Sequence, residues 1–280
     1  MDDPEGTTLA RSPPSPRTRR PPRPGAPHPR GERGPTAEAP CPAAGTMRAM
    51  ITLHHLENSR SQRVLWLLEE LGLPYQVQRY ARDPKTMLAP PELARVHPLG
   101  KSPVITDADA PGADDTPVTV AESGAIVEYL VDTYGAGRLR PAAGTAEARR
   151  YTYWLHFAEG TAMPPLLMKL VFDKVRSAPV PFFIKPVVKG VADKVTTSFI
   201  APNIKRQLDF LETELASRPW FAGPEFTAAD IQMSFPLEAA SARAGLNTSR
   251  PRLMDWLARI HARPAYRRAL QAGGPYSMVG

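Results

Sequence analysis

MITLHHLENSRSQRVLWLLEELGLPYQVQRY, residues 50–80, holds three elements in succession. Residues 50–56 read as a short buried strand. Residues 61–71 then read as a helix: Val64, Leu67, Leu68 and Leu71 fall on one face, Gly72 is placed to cap the C-terminus, and Pro74 stops the turn. YQVQRY (75–80) alternates as a second strand does. Where the first strand hands over to the helix lies a polar cluster, Glu57-Asn58-Ser59-Arg60-Ser61. It is either a helix cap or a place where a ligand is held.

Outward from this unit, a polar segment with Pro84, Pro90 and Pro91 leads into VHPLGKSPVI. A third short strand comes next, at Val104 to Thr106. ADAPGADD is a turn or surface loop, and PVTVA is a fourth strand. ESGAIVEYLVDTYG closes the unit as a helix with Ile126, Val127, Leu130 and Val131 on its buried side. The order β-α-β, then β-β-α, predicts a small four-stranded mixed sheet with helices packed on it. Beyond about residue 145 no strand pattern returns. Residues 149–175 read as a long helix that Pro164-Pro165 must kink or break, since neither ring nitrogen can donate. Pro179, Pro181 and Pro186 mark an irregular link. Ile204, Leu208, Leu211 and Leu215 form a helical stripe, and 230–244 and 251–261 supply two more helices. The fold class is therefore α+β: a small α/β domain at 47–135, a Gly-, Ala- and Pro-rich linker at 136–145, and an all-α domain at 146–280.

Residues 1–46 hold 12 of the 33 prolines, 7 arginines and no aromatic residue. Such a segment buries too little apolar surface to offset the entropy of ordering it, and reads as a disordered tail. Met47 and Met50 precede the first strand, which leaves open whether the tail belongs to the natural protein. It lacks the apolar core of a signal peptide. The net charge is +7, with basic residues scattered rather than clustered with aromatics, so no nucleic-acid partner is expected. The single cysteine, Cys41, lies in the tail. That excludes disulfides, cysteine metal sites and a cysteine nucleophile from the folded part, and fits a reducing compartment. The richest apolar stretch, VPFFIKPVVKGV (180–191), is broken by Lys185, Pro186 and Lys189, so no spanning helix and no membrane partner are expected.

Three places carry groups suited to chemistry. In SPV (102–104) a cis Ser102-Pro103 bond would free the Ser102 backbone to pair with a peptide-like ligand. An ordinary trans edge proline is the commoner case, since about 5% of X-Pro bonds are cis. In AESGA (121–125), Ser123 is a natural N-cap at a helix end that attracts anions, and Glu122 could meet an ammonium group. Together they suit an α-amino acid moiety; a plain cap explains them equally. Asn58 or Ser59 stands close to the positive end of the first helix, where a hydroxyl donor and the helix dipole would stabilise a bound thiolate.

These features, in order along the chain, resemble the cytosolic glutathione transferases, of a bacterial or fungal type with a serine or asparagine active site. SRSQRVLWLLEELGLPY is similar to that family's first helix. HPLGKSPVI is similar to its Asn-Pro-x-Gly-Lys-Val-Pro turn, with His97 and Ser102 as departures. ESGAIVEYL is similar to its Glu/Asp-Ser-x-x-Ile-x-x-Tyr-Leu signature, and FTAADIQMSF (226–235) to its helix-capping motif, with Thr227 and Asp230 as a structural capping box. The resemblance runs from Met50 to about Tyr266. It implies a thioredoxin-like first domain that holds glutathione as co-substrate, with no metal. It implies Ser59 as the hydroxyl at the thiolate, with Asn58 and Ser61 as alternatives. Lys101 would meet the glycine carboxylate, Ser102 the cysteinyl backbone beside a cis Pro103, and Glu122 and Ser123 the γ-glutamyl end. A small electrophilic acceptor would sit against the helical domain, where Tyr153, His156 and Phe157 are candidates that core packing could equally claim. The resemblance also implies a cytoplasmic homodimer acting in detoxification. Glutathione-dependent peroxidase or isomerase chemistry, or a non-catalytic binding or assembly module, are the alternatives on the same fold.

Overall fold

The computed structural model describes residues 51–111 and 116–279. The tail, Cys41, Met47, Met50 and residues 112–115 of the 108–115 turn lie outside the described residues. Strands β1 (Ile51–Leu56), β2 (Tyr75–Tyr80), β3 (Val104–Pro111) and β4 (Pro117–Ala121) form one sheet in the order β2-β1-β3-β4. β1 pairs parallel with β2, and β3 pairs antiparallel with β1 and β4. β3 extends past Thr106, because Asp107 still pairs with Val118 and Pro111 reaches Pro117 across an irregular register. Helices α1 (Ser61–Leu71), the short α2 (Leu93–Val96) and α3 (Ser123–Tyr134) complete this thioredoxin-like part.

α3 ends at Tyr134, and α4 (Ala146–Phe157) begins behind Thr145, whose hydroxyl accepts the Ala148 N–H at 3.1 Å. From α4 onward every regular element among the described residues is helical: α5 (Met163–Arg176), α6 (Lys185–Val195), α7 (Ala201–Glu214), α8 (Ala228–Arg243), α9 (Pro251–Ala262) and α10 (Pro264–Gly273). The Pro164-Pro165 pair does not break the chain. A π-helical turn, Ala158–Ala162, carries α4 into α5, with both prolines in the first turn of α5. Pro165 cannot donate to the Thr161 carbonyl four residues back, and the Gln207 side-chain amide takes its place at 2.9 Å. The stretch after Pro181 is more regular than its prolines suggest: Pro186 sits in the first turn of α6, where a missing N–H costs nothing.

Every residue of α1 from Ser61 to Leu68 is buried. Val64, Leu67, Leu68 and Leu71 cover the sheet, as the periodicity predicts. The opposite side, with Leu65 and Trp66, is covered by α8 and α10. Trp66 packs edge-on against Tyr266 at 5.1 Å between ring centroids, and its indole N–H donates to Glu70, which pairs with Arg263. α10 comes so close to α1 that a Cβ on Gly273 would collide with the Gln62 side-chain oxygen. One continuous core thus runs from the sheet through α1 into the helical part.

Candidate functional site

The strand register brings the three chemical places together. His54 of β1 stands opposite Val104 of β3, and Val104 opposite Ala121 of β4. Just beyond that row lie the polar cluster after β1, the Ser102-Pro103 bond before β3 and Glu122-Ser123 after β4. All three occupy the same end of the sheet, where open sheets leave backbone groups and helix N-termini free for ligands.

Ser102-Pro103 is cis. The Ser102 hydroxyl donates to the His54 carbonyl at 2.9 Å and accepts the Leu56 N–H at 3.2 Å, stitching the turn to the end of β1. Its own backbone N–H and C=O have no partner among the described residues. Lys101 is exposed beside Gly100, whose φ of +56° is the left-handed conformation glycine tolerates.

Glu122 holds φ +67°, ψ 122°, a region costly for a residue with a Cβ. Strain of this kind persists where surroundings enforce it, here by turning β4 sharply into α3. No side chain caps α3, so its first amides point at the space beside Glu122.

Ser59, Ser61 and Asn58 have three different situations. Ser61 is fully buried. Its hydroxyl lies 2.9 Å from His55 Nδ1 and 2.8 Å from Ser59 Oγ. Burial, then the nearby Arg79 charge, push His55 down to about 4, so its ring is neutral at pH 7. The Ser61 hydroxyl also reaches the Leu56 carbonyl at 3.2 Å, so Ser61 sits at the centre of a buried network that joins His55, Ser59 and the end of β1. Ser59 Oγ also accepts the Ser61 N–H at 3.2 Å. Ser59 is the outer hydroxyl of this network, and its O–H can turn to a ligand. Asn58 is half-buried with φ +49°, and its Oδ1 accepts the N–H of Ser277 at 2.7 Å.

Arg63 lies four residues after Ser59, fully buried beneath the start of α3. One terminal nitrogen donates to the Gln232 carbonyl at 2.7 Å; the other donates to Ser123 Oγ and Glu159. The Gln232 carbonyl is free because Pro236, four residues on in α8, has no N–H to give it. Burial pulls the Arg63 guanidinium down and Glu159 pulls it back. Burial alone would raise Glu159, but Arg63 and Arg60 hold its carboxyl below the ordinary range. Arg60 Nε sits 2.9 Å from both Glu159 oxygens. The Ser123 oxygen accepts from both Arg63 and Gln232, which leaves its own O–H, beside the α3 amides, to donate to an anion.

Phe157 turns towards α7, 5.9 Å from Phe210, and the exposed Tyr153 lies with its ring 5.7 Å from that of Phe157. His156 is exposed, one turn before Glu159. Around Arg60 lies a separate apolar cluster of Met163, Phe235, Ala239 and Met278, which no local sequence pattern marks. Arg60 lies over the Phe235 ring at 5.3 Å. The chain's last described residues cross this place: Ser277 binds Asn58, and the Tyr276 hydroxyl donates to buried Glu238 at 2.6 Å. Asp230 has the structural role expected. Thr227 and Asp230 form the capping box, and the carboxylate also accepts from the Phe221 N–H and the Trp256 indole. Among the described residues no cluster of His, Cys, Asp and Glu has a metal-binding arrangement.

The sheet, the helix order and this strand-end constellation define a thioredoxin-like, two-part transferase fold. Family models agree: glutathione S-transferase N-terminal domain at residues 59–133, and glutathione S-transferase C-terminal domain at 195–259. The chain is 36% identical to glutathione S-transferase 3 of Schizosaccharomyces pombe, over 79% of this chain and 87% of that one. It is 33% identical to glutathione S-transferase 1 of Saccharomyces cerevisiae, over 78% and 92%. Among solved structures, a glutathione transferase family member from Pseudomonas fluorescens with two glutathione molecules bound is 29% identical, with a TM-score of 0.62 over 81% of this chain and 95% of that one. The chain belongs to the glutathione S-transferase family.

Proposed function

We propose that the protein activates the thiol of glutathione for attack on an electrophilic carbon. The observation that supports this most is the convergence of Ser59, the unpaired Ser102 backbone and the strained Glu122 on one end of the sheet. In this reading Ser102 pairs with the cysteinyl unit, Lys101 meets the glycine carboxylate, and Glu122 takes the α-ammonium group while the Ser123 hydroxyl and the α3 amides take the adjacent carboxylate. That arrangement leaves the sulfur beside Ser59 and the N-terminus of α1. A free thiol has a pKa of about 8.5. Lowering it by about two units is worth roughly 2.7 kcal/mol and makes thiolate the main species at neutral pH. The sulfur lone pair then forms the S–C bond, and the leaving group departs with the electrons of the bond it loses. The acceptor would lie against Phe235 and Met163, beneath Tyr276, with His156 at the rim. The absence of cysteine from residues 51–279 suits a reducing cytoplasm, and a homodimer is part of the same reading.

The test is glutathione affinity and conjugation of a generic aryl halide by wild type and Ser59→Ala. A hydrogen bond to a charged group is worth about 1.5–3 kcal/mol, so kcat/KM at pH 6.5 should fall about 10- to 100-fold with glutathione affinity kept. If wild type does not bind glutathione, the reading fails. If Ser59→Ala conjugates normally, Asn58 takes its place. A wild type that binds glutathione but reduces hydroperoxides or isomerises, without conjugating, points to the alternative uses of the same thiolate.

A further inference from the structure

The chain holds a second surface that has no part in the site above. α5 and α6 pack on each other as a hairpin that turns through residues 177–184. At the turn Phe182 and Phe183 are 82% and 67% exposed, their rings in contact with each other at 5.6 Å between centroids. Further along the hairpin, Val171 and Val175 on α5 and Val187 and Val191 on α6, each pair one helical turn apart, are exposed as well. The opposite side of α6 is anchored inward by the buried Ala192. Isolated exposed apolar residues need no explanation, but two exposed phenylalanines in contact and four exposed valines on one hairpin mark a docking surface.

The charge on the same hairpin identifies what docks. Residues 163–200 hold six Lys or Arg and two Asp, a net charge of +4. Residues 47–280 together carry +5, so almost all the basic excess of the folded chain is on this one hairpin. Both aspartates are already paired, Asp173 with Lys169 and Asp193 with Arg176. Lys174, Lys185, Lys189 and Lys194 have no carboxylate partner among the described residues. Arg176, Lys185 and Lys189 line an open cleft at the turn, beside the exposed phenylalanines.

We propose that the α5–α6 hairpin docks this protein on an anionic lipid surface, its phenylalanines and valines entering the acyl boundary and its lysines meeting the headgroups. A second copy fits less well, because a two-fold contact would set one +4 surface against another. Bases fit less well than acyl chains, because the patch is mostly aliphatic and its cations are mostly lysine. The lysines and Pro186 that rule out a spanning helix are what an interface-lying hairpin requires. Peripheral contact of this kind replaces the expectation of no membrane partner, and it stands whether or not the conjugation reading holds.

The test is co-sedimentation of the full chain with phosphatidylcholine vesicles, with and without about 30% phosphatidylglycerol, at low and high salt. The protein should bind the anionic vesicles at low salt and the neutral ones at least about tenfold more weakly. Each lysine near such a surface contributes about fivefold, so Lys185→Gln/Lys189→Gln should weaken binding by about 25-fold. Phe182→Ser/Phe183→Ser should weaken it by more than about tenfold. Both variants should keep the wild-type melting temperature and gel-filtration size. No binding, equal binding to both vesicle types, or unchanged binding by the phenylalanine variant overturns the proposal. So does a variant of reduced oligomeric size, which would make this face a contact between copies.

Discussion

Glu159→Gln probes the join between α1 and the helical part at its most heavily charged point. The Arg63 guanidinium is buried, and its only carboxylate among the described residues is Glu159; the Gln232 carbonyl and Ser123 hydroxyl are neutral acceptors. Arg63 Nε has no partner among the described residues. Removing the carboxylate charge leaves a buried cation without its counter-ion, which in a closed interior costs about 3–5 kcal/mol. Glu159 is 33% exposed, so water recovers part of that. The expected loss is about 2–3 kcal/mol. With a urea slope of about 2–3 kcal/mol per M, the unfolding midpoint should fall by about 1 M. Arg63→Met removes the cation itself. In the double variant Arg63→Met/Glu159→Gln the second change should then cost little, giving a coupling energy of about 2 kcal/mol. If the two changes add within about 0.5 kcal/mol, or Glu159→Gln alone costs less than that, the pairing does not carry the join.

The same packing has three other measurable outcomes. Burial pushes Asp230 up to about 6, against an unfolded value of 3.8, so its contribution is full below pH 3.8 and is lost as pH rises through 6. Wild type should therefore gain stability over Asp230→Asn on going from pH 7 to pH 4, read as a widening gap in urea midpoint. Gly273→Ala should destabilise by about 1–3 kcal/mol, because the added methyl meets Gln62 and Leu65 where α10 sits on α1; an unchanged melting curve would mean that contact is loose. With His55 held near 4, the pH profile of conjugation between about pH 5.5 and 8 should report the bound thiol alone, and a second limb near about pH 6.5 would contradict the neutral imidazole.

Much of this molecule is legible along the chain. The β-α-β unit, the Gly72 stop and the capping box at Thr227 and Asp230 are short-range patterns, visible within a few residues, whereas α4 starts three residues before the stretch read as helix, behind Thr145. α6 and α10 are hidden in the sequence, because proline in a first turn looks the same there as proline in a link. Arg63 does carry a signal: a lone arginine among Val, Leu and Trp in a buried helix calls for a partner. Pro236 carries the matching one, since it must free the carbonyl of Gln232.

The order of elements and the three polar strand ends follow from periodicity and from turn chemistry, which are local. Which atoms those ends offer does not. Asn58, Ser59 and Ser61 are equivalent as a polar cluster, and only the burial of Ser61 against His55 and the crossing of Asn58 by Ser277 distinguish them. Ser123 looks like a plain cap, and only the fold brings Arg63 and Gln232 from 60 and 109 residues away to donate to its oxygen, leaving its O–H to point elsewhere. The basic excess of residues 163–200 is written in the sequence itself; what folding adds is the turn that brings α5 and α6 side by side. Local sequence determines which backbone conformations are cheap; partners far apart in sequence decide which side chains remain available, because burial and hydrogen-bond competition depend on the packed tertiary structure.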